Sequence, residues 1–347
     1  MKHYCALDVS LDDTALCIVD HDGAIIREGS VPTEPEAIHR WLTAAGLTME
    51  RVGIEAGGLT PWLCHELLDM GWPMICIETR HAKAAMSAQQ VKTDRNDARG
   101  LAHIMRTGWF REVHVKSHKS QKLRVALGNR RCLLDKRLDI DSQIRGTLKV
   151  FGLKTGRVTA ASYEPRIREL IEDDAELQAY ILPMLAARRS LIEQCKRLEK
   201  IILDYVKDDE VCRRFMTTPG IGPLTALAYK TWVDRPGRFR RSRAVGAAAG
   251  LTPRKYASGQ VDYDGHITKC GDAFLRAHLF EAAKVLLTRS GEPSDLKAWG
   301  LRLAKRGSMK KACVAVARRL AVIMHAMWRD GTQFRFKTPE AEAVAAA

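Results

Sequence analysis

The sequence has 347 residues, of which 46% are apolar and 28% charged, and a formal net charge of +15. The length allows two or three domains, and both fractions lie in the ordinary globular range. The positive excess, with an isoelectric point near 9.5, indicates a polyanionic partner. Nucleic acid is the most frequent one, although ribosomal or membrane-surface binding would give the same charge.

A membrane protein is not indicated. The most apolar C-terminal stretch, Ala312 to Met327, is interrupted by Arg318 and Arg319 and predicts a packed helix. The first residues enter a strand pattern without an export signal. Nine scattered cysteines, none at zinc-knuckle spacing, are expected to be small core residues of a reduced, cytoplasmic protein.

Residues 1–116 alternate short β-rich runs with helical patterns. The predicted strands are His3–Val9, Thr14–Val19, Ala24–Glu28, Arg51–Ile54 and Pro73–Ile77. The predicted helices are Ile38–Ala45, Pro61–Met70 and helices from His81 to about Arg106. The order βββ-α-β-α-β-α favours an antiparallel trio extended by parallel strands, which makes a mixed sheet.

Residues 117–212 show no strand pattern and predict a helical, coiled-coil-like region. Lys119–Arg157 contains eleven Lys and Arg residues against three acids. Further on, an apolar seam recurs at spacings of three, four or seven: Leu177, Ile181, Met184, Leu191, Cys195, Leu198, Ile202 and Tyr205. It fits an intramolecular helical hairpin and a dimerising coil equally well, with Pro183 predicting a kink or a break.

Residues 213–338 predict a mostly α-helical domain, and residues 339–347 a disordered tail. The domain begins with Pro219-Gly220-Ile221-Gly222-Pro223, followed by an apolar helix, Leu224–Thr231. A glycine turn of this helix-hairpin-helix type can present backbone N–H groups to a phosphate. An arginine run follows closely, so we expect Gly220, Gly222, Arg238, Arg240, Arg241 and Arg243 to contact nucleic acid.

Four carboxylates predict a metal site. Asp8 lies within an apolar strand, and Glu55 ends the fourth strand, so the two are close if strands one and four are neighbours. Asp94 and Asp97 lie three residues apart, on one face of a helix. Taken alone, Asp94 could equally be a helix N-cap. Together the four form a set of oxygen ligands that suits Mg²⁺ or Mn²⁺, and two such ions can activate both oxygens of a phosphodiester exchange.

The order of elements and the positions of these acids resemble a RuvC-like ribonuclease H fold. The phrase Lys92-Thr93-Asp94-Arg95-Asn96-Asp97-Ala98-Arg99 resembles the insertion-sequence 110 family of DEDD transposases more specifically. Phrases of the third region resemble that family's C-terminal transposase domain in order: Gly250-Leu251-Thr252-Pro253-Arg254, Tyr256-Ala257-Ser258-Gly259 and Thr268-Lys269-Cys270-Gly271-Asp272.

The resemblance implies a transposase that cleaves and rejoins DNA through a serine nucleophile, Ser258, together with a Mg-binding site of Asp8, Glu55, Asp94 and Asp97. It implies a guide RNA, a homo-oligomer (dimer or tetramer) and a bacterial or archaeal protein that is nucleoid-associated when it acts. Read without the family, Ser258 is compatible with an ordinary turn residue of a polar loop. Basic residues lie near it, and we expect Arg254, Lys255 and Lys269 to contact nucleic acid.

Some alternatives stay open at this point. His266 is compatible with a proton relay, a phosphate contact or an ordinary loop residue. Cys270 is a less suitable nucleophile than Ser258 because no paired base is evident beside it. The competing functions are a hydrolytic RuvC-like Holliday-junction resolvase that needs only the carboxylates, and a nucleic-acid binder without catalytic activity.

Overall fold

The structure is a computed structural model that describes residues 2–87, 91 and 93–337. The chain divides into two compact units, Met1–Lys116 and Ser117–Ala347. Lys92, the first residue of the DEDD-like phrase, and the predicted tail 339–347 lie outside the described residues. Each unit is described by itself.

The first unit contains a five-stranded mixed sheet. Its strands are β1 (His3–Val9), β2 (Asp13–Val19), β3 (Ile25–Pro32), β4 (Met49–Glu55) and β5 (Met74–Ile77). They lie in the order β3-β2-β1-β4-β5. The first three pair antiparallel, while β4 and β5 add in parallel, because helical crossovers precede them. The predicted strand order along the chain and the mixed sheet are confirmed.

Four helices cover the two faces of this sheet: α1 (Pro35–Thr43), α2 (Thr60–Asp69), α3 (Thr79–Ala85) and α4 (Asp94–Thr107). Alternate strand residues face opposite ways. Leu7 and Ile54 therefore pack with α1 and α2, while Tyr4 and Ala6 pack with α3 and α4. The faces have separate apolar cores.

The second unit is mostly helical. Its helices are α5 (His118–Val150), α6 (Tyr163–Leu170), α7 (Ala175–Asp208), α8 (Glu210–Met216), α9 (Pro223–Val233), α10 (Ser242–Ala248), α11 (Ala273–Thr288), α12 (Asp295–Arg306) and α13 (Met309–Asp330). The predicted junction between residues 212 and 213 falls inside α8. One apolar core includes Leu127 of α5, Ile202 of α7 and Phe215 of α8 together with the helices that follow.

The apolar seam of α7 packs within the chain against α5. Buried Arg188 donates to the Asp141 carboxylate over 2.6 Å, and Arg130 pairs with Glu199 over 3.5 Å. Because the later residue of α7 pairs with the earlier residue of α5, the two helices run antiparallel. The structure therefore contains the intramolecular hairpin, one of the two arrangements that the seam fits. The predicted break at Pro183 is wrong, because α7 continues through it.

A two-stranded antiparallel hairpin, β6 (Pro253–Ser258) and β7 (Val261–Ile267), lies where the sequence predicted a polar loop. That prediction is wrong. Every residue of β6 is exposed, so the segment lacks the apolar alternation by which half-buried strands are recognised. Among the described residues, no helix is long and apolar enough to span a bilayer.

Candidate functional site

Asp8 and Glu55 lie at the same end of neighbouring strands. Leu7 of β1 pairs in parallel with Ile54 of β4. Asp8 is the next residue of β1, and Glu55 is the next residue of β4. Both side chains belong to the α4 face by alternation, since Leu7 and Ile54 face the other core. The predicted neighbourhood of strands one and four is confirmed.

Asp94 and Asp97 lie in the first turn of α4. The helix N-cap is Thr93, whose Oγ1 accepts from the Asn96 backbone N–H over 3.2 Å. Asp94 is thus the first helical residue and not the cap, which removes its alternative interpretation. Both acids also have a local effect, because negative charge in the first turn favours the helix dipole.

Two arginines of the same helix tie α4 to the edge strand. Arg95 and Arg99, one helical turn apart, both donate to the Glu28 carboxylate of β3, at 2.5 Å for Arg95 Nη2. Chiefly through the hydrogen bond from Arg99, they lower the pKa of Glu28 to about 2. That Arg95 and Arg99 have an acidic partner could not be predicted from the sequence, because Glu28 is more than sixty positions away.

Contacts at the other end of α4 fix its direction across the sheet. The Met105 carbonyl accepts from Arg51 Nη1 over 2.7 Å, near the start of β4. Arg106 donates to the His21 carbonyl, beyond the end of β2 and so beside the start of β1. The first turn of α4, with Asp94 and Asp97, therefore points toward the strand ends of Asp8 and Glu55.

The four acids are not drawn together as a finished metal site. Across residues 2–87, 91 and 93–337, no group of three or more His, Cys, Asp or Glu could hold a metal ion. The different lengths of helix and strand explain part of this. Met105 of α4 faces Gly53 of β4. From there the helix runs about 16 Å to Asp94, whereas the strand runs only about 7 Å to Glu55. The donor chemistry of the four carboxylates fits a hard divalent cation.

Ser258 is the last residue of β6, beside the two-residue turn Gly259-Gln260, and is exposed. Gly259 has φ +56°, in the region that such tight hairpin turns require. The hydroxyl is therefore presented at the tip of a protruding hairpin.

A pair of tyrosines on the same face of the hairpin was missed by the sequence reasoning. Tyr256 and Tyr263 pair across the strands with stacked rings, 5.0 Å between centroids, and are 43% and 55% exposed. Tyr256 is two residues before Ser258, so it shares its face. The signal available was the polar alternation Arg254-Lys255-Tyr256-Ala257-Ser258 before a Gly-containing turn.

The opposite face of the hairpin contains an ion pair. Lys255, predicted to contact nucleic acid, pairs with Asp262 and lies 4.0 Å from Asp264. Arg254 and Lys269 are exposed, and Lys269 has φ +55°. Lys255 is therefore partly neutralised, whereas no ion pair of Arg254 or Lys269 occurs in the described part of the chain.

His266 lies in β7 and not in a loop. It is five residues from Val261, which pairs with Ser258, so about 17 Å of strand separates it from the serine. Within this hairpin it is too far away to relay a proton for Ser258. A phosphate contact by His266 stays a prediction.

The arginine run divides into a half-buried member and exposed members. Arg238 donates through Nη1 to the Trp232 carbonyl over 2.9 Å and lies over the Phe239 ring, and burial lowers its pKa. Arg240, Arg241 and Arg243 are exposed. The last three are therefore the members of the run that can reach a phosphate.

Close packing requires a glycine at position 220, which the sequence alone did not show. Its φ is +87°, and a Cβ there would lie 2.4 Å from the Ala282 carbonyl oxygen of α11. Gly222 precedes α9 as its N-cap and has open space around it. Close packing against α11 thus explains one of the two glycines.

The basic segment around α5 is less positive than its composition indicates. Five of its cations pair with acids: Arg124 with Asp272, Arg130 with Glu199, Arg131 with Asp135, Lys136 with Asp139, and Arg137 with Asp141. Asp272 and Glu199 are distant in sequence, so counting local charges could not find them.

The cysteines are mainly core residues, as predicted. Cys5, Cys17, Cys64, Cys76, Cys212 and Cys313 are buried. Burial raises the pKa of Cys64 to about 12, which keeps its thiol protonated at neutral pH. Cys270 is half-buried, and its Sγ lies 3.9 Å from the Thr268 carbonyl oxygen.

Comparison with known proteins adds a family to this geometry. The family described as "Transposase IS116/IS110/IS902 family" matches residues 212–298, and a second transposase family, of the IS110 DEDD type, matches residues 5–152. The chain is 30% identical over 330 residues to the transposase for insertion sequence element IS1111A of Coxiella burnetii, covering 92% of this chain and 88% of that relative.

A further relative is the transposase for insertion sequence element IS1328 of Yersinia enterocolitica. It is 29% identical over 255 residues, which covers 70% of this chain and 75% of the relative. The DEDD-type match, residues 5–152, includes the four carboxylates. The match over residues 212–298 includes Ser258.

Proposed function

This chain belongs to the IS116/IS110/IS902 family of transposases, and from that premise we propose that it cuts and rejoins DNA through Ser258 with the help of a divalent-metal site. The metal ligands are Asp8, Glu55, Asp94 and Asp97. The first unit is then of the RuvC-like ribonuclease H type.

The observation that supports this proposal most is the arrangement of the acids on the sheet. Asp8 and Glu55 end adjacent parallel strands on the face covered by α4, and α4 begins with Asp94 and Asp97. Carboxylates that share one end of a sheet repel each other, and a cation relieves that repulsion. A protein that only binds phosphates would lose affinity by keeping them.

The chemistry assigned to Ser258 is a phosphoryl exchange. Its Oγ loses a proton and attacks phosphorus; the new Oγ–P bond forms as the bond from phosphorus to the leaving DNA oxygen breaks, and that oxygen takes up a proton. A DNA hydroxyl later attacks the phosphoserine and reverses these steps. The phosphodiester energy is conserved in the covalent intermediate, so rejoining requires no nucleotide cofactor.

Mg²⁺ or Mn²⁺, held by the four carboxylates, would supply stabilisation of charge on the attacking and leaving oxygens. The residues themselves position the reaction: β1 and β4 fix Asp8 and Glu55, and the ion pairs of Glu28 fix the start of α4.

Two partners belong to the proposal through the family resemblance. A guide RNA would select the DNA, and a dimer or tetramer would supply the two or more active sites that exchange between duplexes requires. The exposed cations Arg240, Arg241, Arg243, Arg254 and Lys269 are the candidate phosphate contacts.

The test is capture of DNA on a denaturing gel. Wild-type protein with labelled substrate and Mg²⁺ is expected to give a DNA-linked protein band, and Ser258→Ala to give none. Ser142→Ala, an exposed serine of α5, is the matched control and should retain the band. A band of wild-type intensity with Ser258→Ala contradicts the proposal, and cleavage by that variant with free phosphate ends supports the hydrolytic alternative.

A further inference from the structure

A cleft of about 810 Å³ opens beside the base of the hairpin, between β6, β7, α12 and α13. Five cations line it: Arg243, Lys310, Lys311, Arg318 and Arg319. We call this the basic cleft. None of the described residues that line it is an Asp or Glu.

These five cations differ from those of α5 in having no acidic partner. Across residues 2–87, 91 and 93–337 none of them forms an ion pair, whereas several cations of α5 do. Five positive charges around one cavity repel each other, and that repulsion is relieved only when an anion enters. The charge of the basic cleft is therefore available to a ligand.

Two of the five occupy positions that oppose the helix dipole. Lys310 and Lys311 lie in the first turn of α13, which contains no acid. Cations at a helix N-terminus are unfavourable. Their presence beside the cleft adds to the unbalanced positive potential there.

The floor of the basic cleft is apolar. Leu251, Ile267, Val314 and Val322 line it. The Arg319 guanidinium lies over the Trp299 ring, 4.8 Å from its centroid. A guanidinium stacked on an indole presents a flat outer surface, on which a nucleobase can stack in turn.

The basic cleft continues toward the serine. A second depression, of about 620 Å³, shares Gly265, His266, Ile267 and Lys311 with it and extends to Tyr256 and Tyr263. One acid, Asp264, lines that depression. Pro253, which lines the basic cleft, is five residues before Ser258 on β6, or about 17 Å of strand.

We propose that the basic cleft binds an unpaired nucleotide of the strand that Ser258 acts on, with its phosphate on Lys310 and Lys311 and its base on the Arg319–Trp299 stack. The unpaired form is favoured because a base inside a duplex has both faces covered. This assignment rests on the proposed function, since it names the form of nucleic acid at the same reaction. DNA and RNA share the chemistry, and the experiment separates them.

The test measures binding of the full chain in EDTA to three labelled oligonucleotides of equal length: a single strand, the corresponding duplex, and a single strand with abasic positions. The wild type should bind the single strand about tenfold or more tightly than the abasic strand, as expected for stacking. An RNA strand of the same sequence, run in parallel, shows which sugar the site prefers.

Two variants separate phosphate from base. Lys310→Ala/Lys311→Ala should weaken single-strand binding and lower the slope of log affinity against log salt by about one to two. Arg319→Lys keeps the charge but removes the flat plane, so it should bind the intact and abasic strands equally. Lys305→Ala/Arg306→Ala removes the same charge from exposed positions outside the cleft and is the matched control.

Three results overturn the assignment: equal wild-type binding of the intact and abasic strands, retained base preference in Arg319→Lys, or equal losses in the two double variants. Because no cleavage occurs in EDTA, failure here leaves the Ser258 gel test unaffected, and loss of the covalent band leaves this binding result standing.

Discussion

At the scale of single residues, the acids of this transposase are distinguished by their surroundings and not by their number. Glu28 is held by two arginines and has a structural role, whereas Asp8 and Glu55 end adjacent strands. The sequence identified Asp8 and Glu55 because a carboxylate in an apolar strand is costly without a partner. It could not identify Glu28, which looks like any charged residue of an edge strand.

The metal assignment is tested by Asp8→Asn, which keeps the shape and removes the charge. At a concentration of one hundred times its Kd, Mg²⁺ is expected to stabilise the folded wild type by about 2.7 kcal/mol. This stabilisation is measured as a rise in the unfolding temperature. The variant should lose most of this shift, along with Mg²⁺-dependent cleavage. Asp12→Asn, an exposed acid of the same region, should behave as the wild type. An unchanged shift in Asp8→Asn contradicts the assignment.

Glu28 predicts a pH-dependent contribution to stability. Its folded pKa is about 2 against an ordinary 4.5, so the contribution is complete above about pH 5 and is lost as the pH falls toward 2. Glu28→Gln should lower the free energy of unfolding by about 1 kcal/mol at pH 7, since solvent screens part of the interaction.

Urea unfolding between pH 3 and pH 7 measures that difference, which should shrink toward the acid end. Asp12→Asn, at an exposed acid in the turn between β1 and β2, is the control and should be nearly neutral throughout. A difference between Glu28→Gln and wild type that is constant with pH argues against the ion pairs as its cause.

At the scale of elements, the spacing of apolar residues predicted the strands and helices that have a buried face. It did not predict the β6–β7 hairpin, whose first strand is exposed throughout. The strands of the first unit were found from their alternation, and α9 from its apolar run. The β6–β7 hairpin lacks that alternation because all of β6 is exposed, so its sequence resembles a loop. Its turn chemistry, Gly259 between a tyrosine-containing strand and its partner, was the signal that hydrophobic periodicity could not supply.

The turn before α9 makes a sharp prediction. Gly220→Ala should destabilise the protein by about 2 kcal/mol or more, because left-handed backbone and the contact with Ala282 both oppose a Cβ. Gly222→Ala, with open space and a negative φ, should cost less than about 1 kcal/mol. Thermal unfolding compares them, and equal effects would show that packing against α11 does not distinguish these glycines.

At the scale of the whole molecule, the net charge of +15 indicated a polyanionic partner but not which of the cations would contact it. Arg124 and Arg130 of the α5 segment pair with acids far away in sequence, while the basic cleft collects cations from α10 and α13. Folding decides which charges are neutralised. Family resemblance supplied the activity, which charge alone could not.

The central claim is that Ser258 forms the covalent link to DNA. The most direct measurement is mass spectrometry of the trapped protein–DNA adduct after nuclease and protease digestion. The account predicts a nucleotide attached through phosphate to the peptide that contains Ser258. A nucleotide on any other residue, or complete cleavage of DNA without an adduct, would contradict it.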